Sequence, residues 1–240
     1  MNYGAVSCTD KKEVDYNDEL VGAISRELIQ KHIQFIVTRA KDRDMDDADA
    51  LRHYLVDPLD DGKWQNYRQL YSRIAIANKM KADLFISIHH DSVQEHHLRR
   101  TEDGKIIDVR DDFKQQFNPG YSIYISCDPA YPNTERNFLD SLKFAEIFAG
   151  KMEAIGRKPS TYHEEKPGQD NYVSLDPSRG IYDSKAILAV LRNAEMPAVL
   201  IEAGVIVDAE DEKLVSSTFF RKQFAELLAE SIEIFFSPPD

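Results

Sequence analysis

Four short apolar runs, "QFIVTR" (34–39), "LFISIH" (84–89), "YSIYIS" (121–126) and "AVLIE" (198–202), are each set apart from the next by a long connection. Runs of this length, rich in β-branched and aromatic residues, read as strands. The connections carry helical spacing instead. Leu20, Val21, Ile24 and Leu28 predict a helix over Asp15–His32, with Asp15 or Asn17 as N-cap. Leu70, Ile74, Ala77 and Met80 place one on Asn66–Lys81. Phe138, Leu142, Ala145 and Met152 mark another over Asn133–Ala154, stopped by Gly156. Phe220, Phe224, Leu227 and Leu228 predict a closing helix over Glu210–Phe236. The stretch 186–191 reads as a short helix or a strand, and 42–63, rich in charge, as a loop with at most one short helix. Strands alternating with helices predict an α/β fold: a three-layer sandwich with a mostly parallel central sheet flanked by helices. The continuous apolar character of "LFISIH" further predicts burial on both faces.

No internal repeat, low-complexity tract or linker divides the chain, so residues 1–240 are expected to form a single domain. The ten glycines make neither G-x-G-x-x-G nor G-x-x-x-x-G-K, and no G-x-S-x-G elbow is present. Dinucleotide, P-loop and α/β-hydrolase sites therefore have no support. The net charge of −12 repels phosphate backbones, which argues against a nucleic-acid partner. No apolar run reaches the length of a membrane span. Two cysteines, Cys8 and Cys127, make neither a disulfide framework nor a metal cage.

In open α/β sheets, ligands bind beyond the carboxyl ends of the strands. Two strands here end in ionisable groups: "LFISIH" in His89 and "AVLIE" in Glu202. A carboxylate closing an apolar strand costs free energy unless it is paired, hydrogen-bonded or metal-bound. A loop glutamate held by the amides of Ala203 and Gly204 accounts for Glu202 equally well. A strand-end histidine also fits a hydrogen-bonded loop residue. His90 is expected to face away from His89, because strand side chains alternate. His96 and His97 sit in a charged stretch and read as solvated, and His32, His53 and His163 have no partner that spacing suggests. Glu13 alone reads as a surface glutamate favouring a helix N-terminus.

Four segments, in order, carry a resemblance: "KKEVDYNDELVGAISREL", "FIVTR", "SRIAIANKMKADLFISIHHDS" and "AVLRNAEMPAVLIEAGVIVDAEDEKL". Together they resemble the zinc-dependent N-acetylmuramoyl-L-alanine amidases of the type 3 amidase fold, with departures at 43–66, 93–119 and 157–178. The resemblance implies a bacterial hydrolase, periplasmic or secreted, that cuts peptidoglycan between N-acetylmuramic acid and L-alanine. It implies Glu13 and His89 as ligands of Zn²⁺ and Glu202 as general base. Three N/O ligands with an open position suit metal-assisted hydrolysis. The family's first zinc histidine ends a strand ahead of the glutamate, and no histidine lies between Met1 and Glu13. The chain is thus expected to lack that strand; His90 as a substitute donor and a metal-free relative that binds peptidoglycan or a protein are the alternatives. The insertion 93–119, with Asp103-Gly104 as a turn, reads as a solvated hairpin or, more sharply, a lid over the cleft. An acidic α/β protein acting only through protein contacts is the reading that sets the resemblance aside.

Overall fold

The computed structural model describes residues 4–38, 61–93, 98–109, 118–127, 135–161, 172–185 and 187–238. Six helices are described: α1 (Glu13–Gln30), α2 (Asp61–Met80), α3 (Glu135–Ala154), α4 (Ala189–Arg192), α5 (Ala209–Val215) and α6 (Thr218–Phe236). Five strands, β1 (Phe85–Asp91), β2 (Ser122–Ile125), β3 (Val173–Asp176), β4 (Ile181–Asp183) and β5 (Ala198–Val205), form one sheet in the order β1-β5-β2-β4-β3. β1–β5 and β2–β4 pair parallel, and β2–β5 and β3–β4 antiparallel. The expected α/β sandwich is the one observed, with a mixed sheet.

Each face of the sheet has its own apolar layer. On one, Leu20 and Ile24 of α1, Phe144 and Phe148 of α3, and Phe220, Phe224 and Leu228 of α6 pack on Ile123, Ile125, Val199 and Ile201. On the other, Ile74 and Ala77 of α2 and Val190 and Leu191 of α4 cover Phe85, Tyr124, Tyr182, Ala198 and Leu200. Strand residues two apart share a face, so Phe85, Ser87 and His89 line the α2/α4 side of β1, and Ala198, Leu200 and Glu202 the same side of β5. A third, smaller cluster, Val93, Ile106, Val109, Val205 and Val207, closes the carboxyl end of β1 and β5.

Several expectations need correction. "QFIVT" is not a strand: residues 34–38 lie outside the sheet, with Phe35, Ile36 and Val37 exposed, and Arg39 lies outside the described residues. Without that neighbour β1 lies at the edge of the sheet among the described residues, and Ile86, Ser87 and Ile88 are only half-buried, not covered on both sides. Their open side faces a groove of about 830 Å³ bounded by α1, residues 33–38 and the end of α2. Met80, which shares a helical face with Leu70, Ile74 and Ala77, is exposed at that end. α1 begins at Glu13, not Asp15, and neither expected N-cap serves: the cap position is Lys12, with no side-chain cap bond. The closing helix is two helices, because the Ser217 hydroxyl accepts from the Phe220 amide and starts a new N-terminus at α6. The stretch before Pro197 resolves to the short helix α4. Gly156 ends α3 in the left-handed conformation at φ 76°, as expected. β3 and β4, joined through Pro177–Gly180, had no sequence expectation.

Asp103-Gly104 does turn a hairpin: Gly104 has φ 87°, and Arg100 bridges Ile106. That hairpin is anchored, since Ile106 and Val109 are buried against Val205 and Val207. Of the insertion 93–119 read as a hairpin or a lid, residues 94–97 and 110–117 lie outside the described residues, as do His53, His96, His97, His163 and most of 42–63.

Candidate active site

The register brings two of the candidate residues together directly: His89 on β1 lies opposite Glu202 on β5. In a parallel pair, residues in register put their side chains on the same face. The third comes from the helix layer. Glu13 opens α1, and its Oε1 lies 2.8 Å from His89 Nδ1. A carboxylate only accepts, so the imidazole Nδ1–H donates. His89 Nε2 lies 3.1 Å from the Ser87 hydroxyl.

Glu13 is held on every side. Its Oε2 accepts from the Ala5 amide at 2.9 Å, and its Oε1 also accepts from the Asn17 amide at 3.1 Å. Burial alone would raise its carboxyl, but the hydrogen bond and charge of His89, then Ala5 and Asn17, bring it down to about 2. The loop over Glu13 needs glycine at position 4. Gly4 has φ 70°, and a Cβ there would fall 2.0 Å from Glu13 Oε2. Behind it, Glu212 fastens the loop by accepting from the Thr9 hydroxyl and, at 2.5 Å, from the Tyr16 hydroxyl.

Glu202 is the contrasting case. The residue is half-buried, but its Oε2 is shut off from solvent and has no hydrogen-bond partner among the described residues. Burial pushes its carboxyl well above the usual range, and the charges of Asp91 and Glu13 push it further. Ser122 lies opposite it on β2, with its hydroxyl also lacking a partner among the described residues. A carboxyl with one orphaned oxygen beside a pinned carboxylate and an imidazole is a poor device for stability. It is the arrangement a cation or a polar substrate group would complete.

Imidazole and carboxylate are the donor types zinc takes. Glu13 and His89 fit as two donors. Among the described residues, no group of three or more His, Cys, Asp or Glu side chains is placed to hold a metal ion. His90 is no substitute: it is 2% exposed, on the α1 side of the strand, with Nδ1 2.7 Å from Asn17 Oδ1 and its ring 5.5 Å from that of Tyr16. The expected alternation of the two histidines holds, and burial pushes the His90 imidazole down to about 3.

Sequence reasoning missed Asp91, Asn17 and the Arg157–Asp211 pair. Arg157 binds Asp211 through two contacts, 2.5 and 2.9 Å, and donates to the Ala203 carbonyl at 3.1 Å, clamping β5 just past Glu202. Asp211 Oδ2 also accepts from the Val205 amide. Nothing in the spacing of positions 157 and 211 announces that contact. Asn17 did carry a signal: it lies four residues after Glu13, one helical turn away.

The family of N-acetylmuramoyl-L-alanine amidases matches this chain over residues 1–234. A curated relative from Haemophilus influenzae, described as "Probable N-acetylmuramoyl-L-alanine amidase AmiB", is 23% identical over 237 residues, covering 90% of this chain. The chain spans about half that relative, 49% of its length. Among solved structures, the apo form of the N-acetylmuramyl-L-alanine amidase Ami1 from Mycobacterium abscessus shares 20% identity at a TM-score of 0.64, covering 98% of this chain and 82% of that one. Ami1 from Mycobacterium smegmatis shares 19% identity at a TM-score of 0.62, covering 97% of this chain and 80% of that one. At these identities the two structures establish a common fold.

Proposed function

The chain belongs to the N-acetylmuramoyl-L-alanine amidase family, and from that premise we propose that it hydrolyses the amide bond between N-acetylmuramic acid and L-alanine in peptidoglycan. The observation that carries the reading is the register of His89 against Glu202, with Glu13 in contact with His89. In this proposal Glu13 and His89 would hold Zn²⁺, and Glu202 is the general base. When bound, Zn²⁺ supplies Lewis acidity, polarising the scissile carbonyl and lowering the pKa of water.

The remaining work falls to the chain's own groups. Glu202 takes a proton from the attacking water and passes it to the leaving amine of L-alanine. A carboxyl raised by burial and two acidic neighbours is a poor base until positive charge arrives beside it. Glu13 and His89 are where that charge would sit. The substrate places the protein outside the cytoplasm, periplasmic or secreted. No described helix is long and apolar enough to cross a membrane.

The test compares Glu202→Gln with His89→Ala, measuring zinc affinity and release of stem peptide from purified peptidoglycan. Glu202→Gln is expected to keep the wild-type zinc affinity and lose about 10²–10⁴-fold in turnover. His89→Ala is expected to lose both. If Glu202→Gln loses zinc as His89→Ala does, Glu202 is a ligand and the roles are wrong. A second reading, a relative that binds peptidoglycan without cutting it, follows if no further donor joins Glu13 and His89, the two placed together among the described residues. Sedimentation with peptidoglycan that releases no stem peptide, with or without Zn²⁺, would establish it.

A further inference from the structure

Glu13 and Asn17 lie one turn apart on α1, so their side chains stack on one face of the helix. His89 and His90 are adjacent on β1 and face opposite sides of it. Hydrogen bonds join the four in one chain: His89 Nδ1 to Glu13 Oε1 at 2.8 Å, Asn17 Nδ2 to Glu13 Oε1 at 3.1 Å, and His90 Nδ1 to Asn17 Oδ1 at 2.7 Å.

Each member has a single orientation available. A carboxylate oxygen accepts only, so the Asn17 NH₂ faces Glu13 and its carbonyl faces His90. That carbonyl also accepts only, so His90 donates from Nδ1. His90 cannot turn away toward water, being 2% exposed and packed beside Tyr16. The Asn17 amide is thereby fixed from its buried side. Its N–H in turn holds Glu13 Oε1, while the Ala5 amide holds Oε2.

We propose that His90 and Asn17 are positioning residues, a relay in which the buried imidazole orients the amide and the amide aims the Glu13 carboxylate at His89. The proposal rests on the reading of Glu13 and His89 as metal donors and adds the groups that hold them ready. Partners of this kind keep a ligand in its binding rotamer, and losing one typically lowers metal affinity by about 10–100-fold. The relay also explains why a histidine that can bind nothing itself stands beside one that can.

The test uses the full 240-residue chain and the variants Asn17→Leu, His90→Phe, His90→Gln and Glu13→Ala. His90→Phe keeps a ring in the buried slot and removes only the donor, so folding, followed by circular dichroism and thermal melting, should survive. Zn²⁺ affinity is read by competition with a chromophoric chelator. The solvent exchange of the His89 Nδ1 proton is read separately, without metal, by ¹⁵N-edited NMR. Asn17→Leu and His90→Phe are expected to lose about 10–100-fold in Zn²⁺ affinity and to expose the His89 proton to faster exchange. His90→Gln, which retains an N–H donor, is expected to recover most of both. Wild-type affinity and wild-type exchange in a folded His90→Phe would overturn the proposal. If Glu13→Ala leaves Zn²⁺ binding unchanged, the donor reading fails; the exchange rates of the relay variants then decide the positioning role alone.

Discussion

Replacing Glu202 with glutamine should make the metal-free protein more stable, and by an amount that grows with pH. One oxygen of the glutamate is buried and lacks a partner among the described residues, and desolvation, Asp91 and Glu13 all raise the carboxyl well above 4.5. In the unfolded chain the same group titrates near that ordinary value. Between the two values the folded state holds one proton more than the unfolded state. Stability contributed by a group raised in this way is complete below the unfolded value and is lost as pH climbs toward the folded one. The loss is about 1.4 kcal/mol for each pH unit over which the folded carboxyl stays protonated. Glutamine has nearly the same volume and no proton to exchange. The gap between variant and wild type should therefore be flat below pH ~4.5 and widen in favour of the variant above it. Urea unfolding at pH 4, 5, 6 and 7 with chelator present measures this directly. Excess Zn²⁺ should shrink the slope in the wild type alone, because a cation beside Glu13 and His89 favours the ionised carboxyl. A gap that does not vary with pH, or a glutamine variant less stable than wild type at pH 7, would refute the reasoning.

Two donors, as placed among the described residues, hold zinc weakly, so the 240-residue chain is expected to lose Zn²⁺ on dialysis against metal-free buffer; one equivalent retained would show that a further ligand is present. Arg157→Ala should cost about 3–5 kcal/mol in urea unfolding, because it strands the buried Asp211 carboxylate. An effect under about 1 kcal/mol would mean that the pair behaves as a surface ion pair.

The strands that sequence reading placed correctly are those whose side chains meet a helix layer. "YSIYIS" is fully buried as β2, and "AVLIE" continues three residues beyond Glu202 as β5. "QFIVTR" has the same composition and failed. Its local preference is for extended backbone, but pairing requires a neighbour, and none of the sheet's described strands lies beside it. β3 and β4 failed in the other direction: Val173 and Leu175 of β3 are exposed and carry no burial pattern to read, and β4, although Ile181 and Tyr182 are buried, is only three residues long, too short for a period to show. The break at Ser217 was hidden by apolar spacing that runs on through α5 and α6, although a serine three residues before Phe220 is a capping signal. At the site, Glu202 and His89 could be singled out because charge at the end of an apolar strand is conspicuous. Glu13 could not, since a glutamate opening a helix is ordinary; the resemblance supplied it and the 2.8 Å contact places it beside His89. Arg157 and Asp211 meet only through the fold and were not legible at all.

Gly4 has a consequence for how this protein tolerates change. It contributes no side chain to any core, so an inventory of buried contacts would class its position as permissive. Yet any Cβ at that left-handed residue lands on the Glu13 carboxylate, and the easier response is for Glu13 to swing out while the rest of the fold stands. A saturation scan scored for abundance and again for activity should therefore separate at position 4, with alanine and larger residues expressed as folded protein and depleted among active clones. Core positions such as Phe224, 0% exposed, should fall in both scores together. The split marks a residue kept for the geometry of another residue's side chain.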